Sequence, residues 1–157
     1  MLIKLTKTVT PEQFLQAYEQ QRVYFNATTE VLNSVIQYRM LHKHTVYAIQ
    51  DNMVCGIAVY EYRAGYIFVN WLVVLSDWQG QGIGKKLLLY VALQANQRRI
   101  GLLELSYTKD SKKFYEKLGF KHDGNLYTNP KNLIRHIKQS FHLTPVEFSD
   151  MLKTYYI

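Results

Sequence analysis

The chain has 157 residues, 48% of them apolar and 20% charged, a balance that suits one soluble globular domain and excludes a disordered chain. A net charge of +7 biases it toward anionic partners, such as nucleotides, nucleic acid or acidic surfaces, although solubility alone accounts for the charge equally well. The longest apolar run, Tyr66 to Leu75, is too short to span a bilayer; MLIKLTKTV lacks the parts of a signal peptide, and Cys55 has no second cysteine to pair with, so the cytoplasm is the expected location.

In chain order, TPEQFLQAYEQQ opens a helix, with Thr10 as N-cap, Pro11 at the first helical position and Gln13 completing a capping box. TTEVLNSVIQYRML reads as a second helix presenting Val31, Leu32, Val35 and Ile36 on one face. TVYAIQ and MVCGIAVYEY are strands joined by Asp51-Asn52, and RAG turns the chain into a long strand from Tyr66 to Leu75. Connections this short imply three antiparallel strands in a row. A helix of about four turns follows a glycine-rich stretch, runs to Arg99 and is ended by Gly101. LLELSY is the next strand-type segment, expected to pair in parallel because a long helix separates it from its predecessor. SKKFYEKL is a short helix stopped by Gly119 as a left-handed cap, and FKHDGNLY one more strand with a turn at Asp123-Gly124. Beyond Asn129-Pro130, NLIRHIKQSF fits strand or helix, and LTPVEFSDMLKTYY is a helix capped by Thr144, Pro145 and Glu147. The expected order is α-α-β-β-β-α-β-α-β, an α/β (α+β) domain with a mixed sheet and no internal repeat or linker.

The stretch SDWQGQGIGKKLLLYVAL places Gly80, Gly82 and Gly84 at every second position before an almost wholly apolar helix. Glycine costs backbone entropy, so such a run makes sense where something approaches the main chain closely. A Walker A loop fails, because Gly84-Lys85 is followed by Lys86 and its leading glycine is replaced by Gln79. A dinucleotide fingerprint fails as well, because the spacing is G-x-G-x-G and the preceding strands are of antiparallel type. What remains is a nest of backbone N–H groups at a helix start, which binds anions. Lys85 and Lys86 oppose the helix dipole in that first turn, which a docked polyanion would reward; two solvated lysines are the plainer reading.

Gln79, Gly82 and Gly84 match Q/R-x-x-G-x-G/A, with Val74 five residues upstream, and in this the sequence resembles the GNAT (general N-acetyltransferase) superfamily. FYEKLGF, from Phe114 to Phe120, resembles the family's C-terminal signature and stands in the family's order, a helix and a strand after the loop. The resemblance covers about residues 45–127; residues 130–157 form an extension that matches nothing in it. It implies a mostly antiparallel central sheet flanked by helices and splayed between its fourth and fifth strands, within a single domain over residues 1–157. Acetyl-CoA is the implied acyl donor, held by Val74 on the fourth strand and by Gln79, Gly80, Gln81, Gly82, Ile83, Gly84 and Lys85. Two positions depart from the family pattern: Thr108 stands where many relatives carry Asn, and Ser111 where they carry Ala. Thr108 is still a candidate for hydrogen-bonding the cofactor.

The implied chemistry is direct attack of a neutral amine on the thioester, with the Val74 N–H polarising the carbonyl and Tyr115 protonating the departing thiolate. Tyr115 otherwise reads as a packing tyrosine. Glu61 and Glu104 are the acids best placed as general base, each also readable as a solvated strand residue, and a water chain would serve as well. Cys55 reads as a structural thiol. His42 and His44 lack a third ligand, so no metal is expected. Arg22, Tyr24, Phe25 and Asn26 are candidate acceptor-pocket residues, or simply a packed loop. The tail residues Leu143, Val146, Phe148, Met151 and Leu152 suit an acceptor cover, a dimer contact or a core element. The expected acceptor is an amine-bearing small molecule, peptide or protein, the expected state monomer or homodimer, and no membrane is involved. Two other readings compete: a catalytically silent CoA-binding module of the same fold, and a basic RNA-directed protein, either an aminoacyl-tRNA acetyltransferase or an RNA binder, which the charge and 13 tyrosines permit.

Overall fold

The computed structural model describes residues 3–7, 9–10, 12–13, 16, 19 and 43–155. Seven strands among them form one sheet: β1 (Lys4–Thr6), β2 (His44–Gln50), β3 (Met53–Arg63), β4 (Tyr66–Val74), β5 (Leu103–Leu105), β6 (Lys121–Asp123) and β7 (Asn125–Thr128). Their order is β1-β2-β3-β4-β5-β7-β6, antiparallel throughout except where β4 runs parallel to β5. The sheet is accompanied by α1 (Ile83–Gln97), α2 (Lys112–Lys117), α3 (Pro130–Ser140) and α4 (Pro145–Tyr155). The expected mixed, mostly antiparallel sheet flanked by helices is what the chain forms.

Local chemistry explains most of the boundaries. Asp51 and Asn52 both take positive φ, 52° and 63°, the twist that a two-residue hairpin requires between β2 and β3. The long helix α1 is apolar nearly all round, and Ile83, Leu87, Leu88, Leu89, Tyr90, Val91, Ala92 and Ala95 are buried. Such a helix must be covered on two sides. The sheet covers one side through Val46, Ala58, Ile67, Val69 and Leu105, and α3 covers the other through Leu133 and Ile137. On the opposite face of the sheet a smaller cluster gathers Tyr47, Val54, Ile57, Val59 and Val73.

Several elements differ from the sequence reading. A strand precedes the first expected helix: Lys4–Thr6 pairs with Tyr47–Ile49, and only the alternation of buried Ile3 and Leu5 marked it. The helix stop is Arg99 at φ 57°, with the Ile100 N–H donating to the Ala95 carbonyl at 2.9 Å; Gly101 instead accepts from Asn129 Nδ2 at 3.2 Å. FKHDGNLY is two strands about Gly124, and β7 inserts between β5 and β6. NLIRHIKQSF resolves as helix because Asn129 caps it, accepting from the Lys131 N–H at 2.9 Å, with Pro130 at its first position. The strand in LLELSY is only Leu103–Leu105.

Both expected capping boxes are present. Thr10 and Gln13 exchange reciprocal hydrogen bonds of 2.9 and 3.2 Å, and Thr144 and Glu147 do so at 3.2 Å each way. The tail serves the core: Met151 is buried, while Leu143, Phe148 and Leu152 pack against it, and Val146 is 71% exposed. Pro11, the second helix with Val31, Leu32, Val35 and Ile36, the loop residues Arg22, Tyr24, Phe25 and Asn26, and His42 lie outside the described residues.

Candidate active site

The site begins where β4 loses its neighbour. Pairing with β5 joins Ile67–Val69 to Leu103–Leu105 and stops there, although β4 continues to Val74. On the other side of β4 the register slips between Val59 and Tyr60, whose partners are Trp71 and Val69, so Asn70 bulges out of the ladder. Beyond the bulge, Gly56 faces Val74, and the Leu75 N–H donates to the Cys55 carbonyl at 3.0 Å. That makes Gly56–Val74 a non-hydrogen-bonded pair, so the Val74 N–H and C=O turn away from β3, and alternation turns those of Leu72 the same way. They point to the side that β5 has left.

The glycine loop closes this opening from the end of β4. A short 3-10 turn over Ser76–Trp78 leads to Gln79, whose Nε2 donates to the Val74 carbonyl at 3.1 Å and ties loop to strand. Gly80 and Gly82 have φ of 83° and 80°, the left-handed conformation that L side chains rarely adopt. Gly82 is the N-cap of α1 and supplies no side-chain hydrogen bond, so the N–H groups of the first turn are left to solvent or a ligand. Ile83 is buried and anchors the turn, while Gln81 is exposed. Gly84 already lies in the helix; a Cβ there would sit 3.4 Å from Phe114 and 3.7 Å from Val74, so this glycine brings the α2 signature against the loop. A Cβ on Gly82 would lie only 2.8 Å from the Phe141 ring. Lys85 Nζ stands 5.6 Å from the centre of the same ring, and half-buried Lys86 has its ammonium pKa lowered by desolvation.

Tyr115 comes from α2 and is buried in the core between Phe114 and Phe120, with ring centroids at 5.1 and 5.5 Å. Burial pushes its phenol up to about 12, so it holds its proton across the physiological range. Thr108 and Ser111 bond to each other. The Thr108 N–H donates to Ser111 Oγ at 2.9 Å, the Ser111 N–H to Thr108 Oγ1 at 3.3 Å, and the two hydroxyls lie 3.0 Å apart. The two departures from the family pattern are thus one device, a reciprocal exchange of hydrogen bonds across the turn that precedes α2. The Thr108 hydroxyl is committed to that turn.

Glu61 and Glu104 fall on one cross-strand row, Glu61–Phe68–Glu104–Tyr127, running over β3, β4, β5 and β7. Their neighbours Leu103 and Leu105 belong to the α1 side of the sheet, so the row faces the opposite side. Glu61 accepts from Arg63 and from Asn70 Nδ2 at 3.2 Å, while Arg63 lies 4.1 Å over the Phe68 ring. Burial pushes the Glu61 carboxyl up, but the hydrogen bonds from Asn70 and Arg63 and the charges of Lys43 and Arg63 outweigh it, leaving it below the usual carboxylate range. The row ends at the bulge, where Asn70 Oδ1 is buried without a partner among the described residues. Cys55 is fully buried and its thiol donates to the Ala48 carbonyl at 3.3 Å, a structural role. His44 packs on Tyr60 and Tyr62 at 5.4 and 5.0 Å. The structure therefore brings Val74, the loop and Phe114 together on the α1 side, with Tyr115 packed against Phe114, and sets the two acids on the other. Sequence reasoning missed Phe141, which carries no local motif and reaches the loop only through the packing of α3.

A family model described as an acetyltransferase (GNAT) domain matches residues 42–122. No curated protein matches the chain significantly. Among solved structures, an acetyltransferase of the GNAT family from Staphylococcus aureus superposes with a TM-score of 0.69 at 16% identity, over 82% of this chain and 99% of that one. The PaiA N-acetyltransferase of Thermoplasma acidophilum, solved in complex with coenzyme A, gives 0.64 at 19% identity over 82% and 99%. Tetrahymena GCN5 gives 0.65 at 14% identity over 82% and 96%. At these identities the likeness is one of fold.

Proposed function

The chain belongs to the GNAT acetyltransferase family, and from that premise we propose that it moves the acetyl group of acetyl-CoA to a primary amine by direct attack. One observation carries the reading. The N–H groups of Leu72 and Val74, unpaired among the described residues on the side of β4 that β5 has left, adjoin a helix start whose two left-handed glycines expose further N–H groups. A long ligand with an amide-bearing arm and a pyrophosphate fits such a continuous run of donors.

In this reading the first-turn N–H groups and Lys85 hold the pyrophosphate across Gln79, Gly80, Gln81, Gly82, Ile83 and Gly84. Acetyl-CoA supplies an acyl group activated as a thioester. The Val74 N–H donates to the carbonyl oxygen, where negative charge grows as the amine approaches. Tyr115, protonated at any physiological pH, gives its hydroxyl proton to sulfur as the C–S bond breaks and the C–N bond forms. The proton leaving the amine goes to a base on the far side of the sheet from Tyr115. Glu104 suits that task better than Glu61, whose carboxyl is already engaged by Arg63 and Asn70. The Thr108 N–H, hydroxyl and carbonyl are all engaged by Ser111, so Thr108 serves the site by shaping the turn before α2 rather than by a hydrogen bond to the cofactor. We read residues 1–157 as one such domain, cytoplasmic, acting on a small-molecule, peptide or protein amine.

Calorimetric titration of the cofactor-free protein with acetyl-CoA and CoA tests the reading, followed by thiol release across a panel of amines, peptides and aminoacyl-tRNA. Saturable one-to-one binding with turnover on an amine is the expected result. Binding without turnover on any acceptor would favour the silent CoA-binding module. No binding at millimolar ligand would end the acetyltransferase reading and turn the search toward RNA.

A further inference from the structure

We propose that Phe141 is a positioning residue for the pyrophosphate loop, so that the C-terminal extension forms part of the acetyl-CoA site. The inference rests on the reading of the loop just given. Phe141 ends α3 and is fixed from both sides along the chain: its N–H donates to the Ile137 carbonyl at 3.2 Å, and His142 after it turns back at φ 54°. The ring reaches across to Gly82 so closely that a Cβ there would lie 2.8 Å from Cε1 and 3.3 Å from Cζ. Any side chain at this position would push the ring aside, over and above the strain of the left-handed φ of 80°. The second glycine of the loop therefore answers to the protein, whereas Gly80 has nothing within 4 Å of a Cβ and faces open space.

The same ring carries Lys85, whose ammonium lies 5.6 Å from its centre. A lysine in the first turn of a helix is repelled by the dipole, and an aromatic face offsets that repulsion while keeping the charge beside the N–H groups. Phe141 thus touches the backbone and the side chain of one loop at once. Its placement depends on Leu133 and Ile137, which bury α3 against the core, and on Asn129, which starts the helix. Beside the ring opens a groove of about 480 Å³ lined by Gln81, Lys86, Leu143, Glu147, Asp150 and Met151, so loop and extension share one groove with Phe141 in its wall.

The test compares CoA binding by the full chain and by Phe141→Leu, Phe141→Tyr, Lys85→Met and the Phe141→Leu/Lys85→Met double variant, each melted beforehand to confirm folding. Phe141→Leu keeps an apolar side chain on the core but removes the aromatic face. CoA affinity is expected to fall about tenfold in Phe141→Leu and to stay within about twofold of wild type in Phe141→Tyr. In the double variant, Lys85→Met should cost much less than it does alone, because its support is already gone. Wild-type affinity in Phe141→Leu, an equal loss in Phe141→Tyr, or losses that simply add would each overturn the proposal. A wild-type chain that binds no CoA would instead overturn the functional reading on which it rests, and this inference with it.

Discussion

Tyr115 and Glu104 differ in what the fold has done to them. Tyr115 is sunk between two phenylalanines with its phenol held near 12, which suits a donor. Glu104 sits in a half-buried row on the opposite face, with Phe68 and Tyr127 beside it. If acid and base work from opposite faces, removing either should slow transfer without loosening the cofactor. Tyr115→Phe is expected to lower kcat about a hundredfold and leave the CoA dissociation constant unchanged. Glu104→Gln should lower kcat comparably, whereas Glu61→Gln should leave kcat within about threefold of wild type. A CoA affinity that fell in parallel with kcat would make Tyr115 a packing residue. The phenol was legible in the sequence because FYEKLGF placed it; the commitment of Thr108 to Ser111 was not, because that exchange depends on the turn that joins them.

Among the elements, those with strong local chemistry were legible and those decided by distant packing were not. Tyr66–Val74 announced itself by its β-branched and aromatic run, and α4 by the Thr144–Glu147 box. NLIRHIKQSF stayed undecided because its apolar residues fit either period, and a cap outside the run resolved it. Asn129 both accepts from the Lys131 N–H at 2.9 Å and donates to the Gly101 carbonyl at 3.2 Å. Asn129→Ala should therefore destabilise the protein by about 1–2 kcal/mol in urea denaturation, more than an ordinary surface substitution. A change within about 0.5 kcal/mol would show that Pro130 alone starts α3. The stop at Arg99 escaped notice for the opposite reason: Gly101 is the residue that usually ends helices, yet the chain takes its left-handed turn two residues earlier.

At the scale of the molecule, titration of buried groups limits the pH range of the fold. Burial raises the Cys55 thiol from 9.0 to about 11 and the Tyr115 phenol from 10.0 to about 12, and it raises Tyr60 as well. Each holds its proton more tightly folded than unfolded. Their contribution is therefore intact below about pH 9 and lost progressively as pH rises through the raised values. Melting temperatures should be level from pH 7 to 8.5 and then fall by several degrees toward pH 11, with a shallower fall in Cys55→Ala. An unchanged slope in that variant would assign the loss to the tyrosines. The net charge of +7 acts at this scale too: any RNA ligand would show affinity that drops steeply with salt, whereas CoA held by backbone donors would be far less sensitive.

The early end of the β4–β5 pairing also gives the molecule a built-in reporter. Leu72 and Val74 belong to a long strand, yet among the described residues their amide protons have no neighbour strand on that side. In deuterated water they should exchange far faster than those of Ile67 and Val69, a few residues back along the same strand. A bound pantetheine arm would protect Leu72 and Val74 while leaving Ile67 and Val69 as slow as before. Exchange that was already slow without ligand, or unchanged with it, would mean that this strand edge is not where the cofactor lies.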